Sequence, residues 1–255
     1  MKKQLIFNAD DFGLSKGVNL GIIETHQNGP VRSTTLMANG PAFEHAVALA
    51  REHPGLHVGV HLTLTALGSV GGIYKTLTNE AGFFSPLSIL TERANTGELD
   101  LAEVEAEYEA QIQKVLATGI VPTHFDSHHH THFLPGIFDV FLKMAEKYGI
   151  TRVRMSHPNF PEGKTKTIRT TDHFTDGFYG EGATLENLKQ IITHAPGTSL
   201  EIMLHPAYLD SALYEASSYH LPRMLELDIL IGEELKLFLA GGDYQIASFS
   251  DLDSF

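Results

Sequence analysis

KQLIFNADDFG, residues 3–13, begins as an apolar strand and ends in two adjacent carboxylates followed by a glycine. Asn, Asp and Gly favour turns and helix caps, so the chain turns where the carboxylates sit. Five further stretches have the same apolar, strand-like character: STTLMAN (33–39), HVGVHLTL (57–64), THFDSH (123–128), TRVRM (151–155) and TSLEIMLH (198–205). Their near-continuous apolar character is that of strands covered on both faces. Helical patterns fall between them. LSKGVNLGIIETHQN (14–28) stops at Gly29-Pro30, and PAFEHAVALAREH (41–53) places Phe43, Val47 and Ala50 on one stripe. In 100–118, Leu101, Val104, Tyr108, Ile112 and Val115 recur at helical spacing. A helix is predicted from Pro135 to Tyr148, another after Ala183 and another within 221–239. This β/α alternation predicts a parallel sheet or barrel in a single domain spanning 1–255. Residues 66–98 and 157–183 break the rhythm and read as long loops, of the kind that cover or bind ligands.

In parallel α/β folds ligands bind at the carboxyl ends of the strands. Four of the predicted strands end in groups that bind metals or move protons: Asp10-Asp11, His61, His128 and His205. THFDSHHHTHFLP (123–135) adds density, with His124, His128, His129, His130 and His132 in ten residues and Asp126 among them. Imidazole is the commonest metal ligand near neutral pH. A carboxylate such as Asp126 can orient a ligating ring by accepting its second N–H. His57 and His61 share a strand face, Pro206 holds His205 at a strand end, and Arg152 and Arg154 alternate onto one side of their strand.

Composition narrows the chemistry. The chain has no Cys, so disulfides, thiolate ligands and Cys nucleophiles are excluded, and any metal must bind through His, Asp or Glu. A net charge of −13 argues against nucleic acid or anionic membrane as a partner. The run GELDLAEVEAEYEA (97–110), with six acids and no base, reads as a solvated helix face. Two N-terminal lysines precede an apolar run that stops at Asn8, short of the roughly 7–15 residues of a signal core. No stretch approaches the roughly 18 apolar residues of a membrane helix. The expected location is therefore cytoplasmic. GxGxxG, Walker-type and GxSxG patterns are absent, which removes dinucleotide enzymes, P-loop enzymes and serine hydrolases.

NADDFGLS, HVGVHLTLT, THFDSHHHTH and the later LHP, in that order from residue 8 to 206, resemble the YdjC-like carbohydrate deacetylases. The resemblance implies a distorted (β/α) barrel of mostly parallel strands, related to the NodB-type polysaccharide deacetylases. It also implies removal of the acetyl group from a small N-acetylated sugar, such as a chitooligosaccharide, with one divalent metal ion, Mg2+ or Zn2+. Carried over by position, it makes Asp11, His61 and His128 the metal ligands, Asp10 the general base and His205 the general acid. Arg154 falls where a base-orienting Arg is expected. Arg93, Lys164, Lys166 and Arg169 are the candidates for holding a phosphate if the sugar carries one. The alternative is another metallohydrolase, acting on a phosphoester or cyclic amide, with His129, His130 and His132 supplying a second metal site. The oligomeric state is left open, a homodimer included.

Overall fold

Strand β1 (Lys3–Phe12) is the centre of the sheet and lends a side chain to each layer of its interior. The computed structural model describes residues 2–155 and 167–253. Around β1 lie β2 (Ser33–Leu36), β3 (His57–Leu62), β4 (Phe125–Ser127), β5 (His173–Thr175), β6 (Ser199–Leu204) and β7 (Tyr244–Ala247). The order is β4-β3-β2-β1-β6-β5, and β7 pairs with the first residues of β1. Every pairing of these strands is parallel. The sheet curls into a distorted barrel, as expected.

Nine helices among the described residues surround it: α1 (Lys16–Asn28), α2 (Phe43–Glu52), α3 (Leu87–Thr96), α4 (Leu101–Ala117), α5 (Ile137–Lys147), α6 (Leu185–His194), α7 (Ser211–Ala216), α8 (Leu221–Ile231) and α9 (Glu233–Gly241). None is long and apolar enough to cross a membrane.

Both strand faces are buried, but only one is apolar. Leu5, Phe7 and Ala9 of β1, Val58 and Val60 of β3, and Leu200 and Ile202 of β6 join Val18 and Ile22 of α1 and Val104 and Tyr108 of α4 in the main core. The alternate residues face inward. Ile6, Ala247 and Phe249 make a small apolar floor. Above it, His124 stacks on Phe249 at 3.9 Å and meets Asn8 Oδ1 at 3.0 Å. Glu201 pairs with Ile6 in register, and higher still are Asp10, Thr35, His61 and Asp126, all buried. The strands are covered on both faces, as expected, but their inner face carries polar groups. A small curled sheet fills its interior with side chains, and here the upper layers are polar groups that satisfy one another.

Several local expectations also change. TRVRM (151–155) is no strand of its own. Val153 bridges to Phe125 and Arg152 to Arg169, which continues the sheet past β4 through single pairs. The 66–98 stretch contains α3, closed by Gly97 at φ 76°, and antiparallel bridges Gly68 to Phe83 and Thr78 to Phe84. The 157–183 stretch contains β5 and a turn at Gly180–Gly182, while its first part, Lys164 and Lys166 included, lies outside the described residues. The helix predicted in 221–239 is two, α8 and α9, divided at Gly232.

The strand-to-helix turn after β1 is set by its own sequence. Asp11 sits at φ 67° and Gly13 at φ 101°, left-handed conformations that Asp tolerates and Gly adopts freely. Ser15 then caps α1, its hydroxyl oxygen accepting from Val18 N at 3.1 Å. Ser15→Ala is expected to lower unfolding free energy by about 1 kcal/mol, read from urea denaturation. An unshifted midpoint would show that the cap contributes nothing.

Candidate metal centre

Strand register brings the site together. In the β3–β4 pairing His61 lies opposite Asp126, so both side chains point inward at one level. His61 Nδ1 donates to Asp126 Oδ1 at 2.7 Å, and Thr35 Oγ1 of β2 donates to the other Asp126 oxygen at 2.9 Å. The ring is thereby fixed with Nε2 free to face Asp11, whose Oδ1 stands 3.3 Å away. The same Oδ1 stands 3.0 Å from His128 Nδ1, just beyond β4. Ligands about 2.0–2.2 Å from one zinc-sized ion stand roughly 3–3.5 Å apart, so this spacing fits a shared ion. Asp11 Oδ2 is occupied separately, by Arg223 Nη2 of α8 at 2.6 Å.

Electrostatics point the same way. Burial pushes the His61 imidazole down, but Asp126, Asp11 and Asp10 outweigh it and bring it up to about 10. Burial pushes the Asp11 carboxyl up, yet Arg223 and His128 hold it well below the usual carboxylate range. These buried carboxylates demand positive charge between them. A second trio, Asp10, His61 and Asp126, is close enough to share an ion. Its space is already claimed by Arg154 and by the His61–Asp126 hydrogen bond.

Asp10 is held by a bidentate clamp. Arg154 Nη1 and Nη2 donate to its two oxygens at 2.6 and 2.7 Å, and Asn8 Nδ2 donates to Oδ1 at 2.9 Å. Arg154 is fully buried and also donates from Nε to Glu201 Oε1 at 2.7 Å. Burial raises the Asp10 carboxyl, but Arg154 wins and holds it well below its ordinary value. Glu201 is pushed up to about 7, chiefly by burial.

His205 follows β6. Its Nδ1 is buried and has no partner, and its ring meets Tyr179 and Tyr219 edge-on at 5.5 and 5.7 Å. Burial, with Arg223 adding to it, pushes the imidazole down to about 3. A ring so placed is neutral at rest.

A cavity of about 650 Å³ opens over this rim, lined by Asp10, Asp11, His61, His128, His205 and Arg223 among others. All six predicted site residues are thus brought together, five at the cavity wall and Arg154 behind Asp10. Of the other histidines, His129 and His130 also line the cavity, and the rest lie away from it. His124 is buried beneath the site, and His57 bonds Ser250 Oγ at 2.9 Å at the opposite end of its strand. His132 stacks on Phe141 at 4.7 Å behind the sheet, and His129 Nδ1 pairs with Thr65 Oγ1. Among the described residues these three late histidines, His129, His130 and His132, form no second metal cluster. His129 and His130 stand at φ 55° and 53°, a strained pair that ends β4 sharply and leaves His128 at the rim.

Residues the sequence did not single out complete the wall. Arg223 fixes Asp11. Glu226 accepts from the His205 backbone N–H and meets Tyr219 OH at 2.6 Å, and burial pushes its carboxyl up to about 8. Helix α8 has no motif that would flag them; the only signal is Arg and Glu three apart in a helix whose only other charge is Asp228. Of the proposed phosphate cations, Arg93 is spent on Thr76 O and Ser85 Oγ within the 66–98 segment, and Arg169 pairs beside Arg152.

A model described as YdjC-like protein matches residues 4–241. The chain is 43% identical over 251 residues to a carbohydrate deacetylase of Listeria monocytogenes, covering 98% of this chain and 100% of that one. It is 43% identical over 257 residues to a carbohydrate deacetylase of Brevibacillus brevis, covering 98% and 99%. A crystal structure of a proposed cellobiose-phosphate cleavage protein from Enterococcus faecalis is similar at TM-score 0.87 and 34% identity, covering 99% of both chains. A family 4 carbohydrate esterase from Streptomyces lividans, in complex with acetate, shares the fold at TM-score 0.50 and 14% identity, covering 95% and 90%.

Proposed function

Because the chain belongs to the YdjC-like family, we propose that it removes the N-acetyl group from a small N-acetylated sugar, a chitooligosaccharide such as diacetylchitobiose, and releases acetate. The observation that carries this reading is the single Asp11 oxygen set 3.0 and 3.3 Å from two histidine nitrogens, beside an ionised Asp10 that is no part of that set. Asp11, His61 and His128 would hold one divalent ion, Mg2+ or Zn2+. Two nitrogens and one oxygen suit zinc and permit magnesium. Such an ion would polarise the acetamide carbonyl and acidify the attacking water.

The chain's own groups supply the proton transfers. Asp10, clamped by Arg154, takes the proton of the attacking water. Negative charge then develops on the acetamide oxygen near His205, and negative charge favours the protonated imidazole. His205 takes up a proton from the solvent of the open cavity at that stage and passes it to the sugar nitrogen as the C–N bond breaks, while the proton that Asp10 took from the water returns to solvent. Arg154 is a positioning residue that keeps Asp10 ionised and aimed. Among the described lining residues the carboxylates are Asp10, Asp11 and Asp176, against one guanidinium, Arg223, which gives Nη2 to Asp11 and Nε to Tyr219 O and keeps only Nη1 unpartnered. An uncharged sugar suits this wall better than a phosphorylated one. A cytoplasmic location would confine the substrate to short imported sugars.

The test is acetate release from diacetylchitobiose with Mg2+ or Zn2+, with and without chelator. Chelator-sensitive release is expected; no acetate under any of these conditions sinks the proposal. His61→Ala should also lose more metal affinity than the roughly 10–100-fold that removal of an outer partner costs. Unchanged affinity by calorimetry would remove His61 from the ligand set.

A further inference from the structure

Tyr179 is an aromatic ring left half-open beside the reacting groups. It lines the cavity and is 45% exposed, although it stacks on Tyr219 at 3.9 Å with 17° between planes. One face is therefore covered by Tyr219, and the uncovered surface belongs to the cavity. Tyr219 is itself immobilised: its hydroxyl meets Glu226 at 2.6 Å and accepts from Gly180 N–H at 3.0 Å. The turn carrying Tyr179 is pinned as well. Asn187 Nδ2 donates to the carbonyls of Gly177 and Gly182, at 2.9 and 2.8 Å, and Phe178 is fully buried under it. An exposed apolar ring on so rigid a mount has lost little freedom still to be lost on binding, which favours affinity.

The surroundings say what would lie there. Asp176 and Ser218 share the cavity wall with the ring, offering acceptors and a hydroxyl around an apolar surface. A pyranose has that pattern in reverse, an apolar C–H face rimmed by hydroxyls. The chain has no Trp, and the phenol rings lining the cavity, larger and less polar than the imidazoles beside them, are Tyr179 and Tyr219. The Tyr179 ring centre is 5.5 Å from that of His205.

We infer that Tyr179 is the platform for the sugar ring that bears the acetamide, holding its C–H face and turning its nitrogen toward His205. The inference rests on the deacetylase reading and adds the residue that sets which ring is presented. It makes recognition depend on the sugar face rather than on the acetyl group.

The test measures binding and turnover separately. The metal-free protein is titrated calorimetrically with diacetylchitobiose, and kcat and KM for acetate release are measured with metal. Tyr179→Ala is expected to weaken binding and raise KM on the order of tenfold, with a smaller change in kcat. Tyr179→Phe should restore most of that loss, because it keeps the face and removes only the hydroxyl. Glu181→Ala, an exposed change on the same turn, should behave as the parent. Thermal melts check that the Ala variant is folded. If Tyr179→Ala binds and turns over like the parent, or if Tyr179→Phe loses as much as Ala, the platform is overturned while the deacetylase reading stands. Sugar binding that depends on Tyr179 without acetate release would keep the platform and overturn the reaction. Neither binding nor release would overturn both.

Discussion

Asp10→Asn is expected to keep its fold and its metal while turnover falls by about 10²–10⁴-fold, the usual share of a general base. The two neighbouring carboxylates are not interchangeable, and their contacts say why. Both Asp11 oxygens are committed, one to the histidines and the other to Arg223. Asp10 oxygens are held by Arg154 and Asn8, which donate to the carboxylate and leave it ionised. Asn is isosteric with Asp, so its amide oxygen can still accept from Arg154, but it cannot accept a proton from water. The variant therefore separates chemistry from assembly. Retained metal affinity with lost turnover supports the base assignment. Near-parent turnover removes Asp10 from the reaction, and lost metal affinity would make it a structural partner of the centre.

What could be read from the chain alone was the set of strand ends. Parallel strands place their carboxyl termini on one rim, so Asp10-Asp11, His61, His128 and His205 could be grouped from order and strand pattern. Asp126 as the orienting carboxylate was also legible, because it lies two residues before His128 in the same segment. Its partner was not, since the pairing of His61 with Asp126 depends on a β3–β4 register that no local pattern encodes. The polar interior was hidden for a related reason. Asn8, Thr35 and Glu201 look like interruptions in apolar strands until curling turns their common face inward. β5 and β7 sit in TTDHFTDG (170–177) and GGDYQIAS (241–248), short apolar pieces among Thr, Asp and Gly that read as loop. Arg223, Glu226, Tyr219 and Tyr179 come from a helix, the segment that leads into it and a turn, where Arg, Glu and Tyr are ordinary surface residues. Their roles exist only because α8 and the turn at Gly180–Gly182 meet over His205.

Arg154→Met is expected to destabilise the protein by about 3–5 kcal/mol, the usual consequence of deleting one partner of a buried ion pair. Arg154 is fully buried and is the common counter-ion of Asp10, Asp126 and Glu201, with contacts of 2.6, 3.1 and 2.7 Å. Without it three carboxyl groups share one small interior. The loss should depend on pH, and its sign follows from the shifts. In the parent, Asp10 is held below its unfolded value, so its contribution is present above the ordinary carboxylate range and is lost only as pH falls through the depressed value. In the variant, burial acts without the opposing guanidinium and the Asp10 and Glu201 carboxyl groups stand above their unfolded values. Folding then takes up protons, so the variant regains stability as pH falls. The gap between parent and variant should be widest at neutral and higher pH and narrow toward pH of about 5. Glu201, already at about 7 in the parent, should protonate first. Denaturation series at several pH values read this directly. A gap that does not change with pH would mean that Arg154 is retained for the volume it fills, and that its charge has no part in holding Asp10 ready.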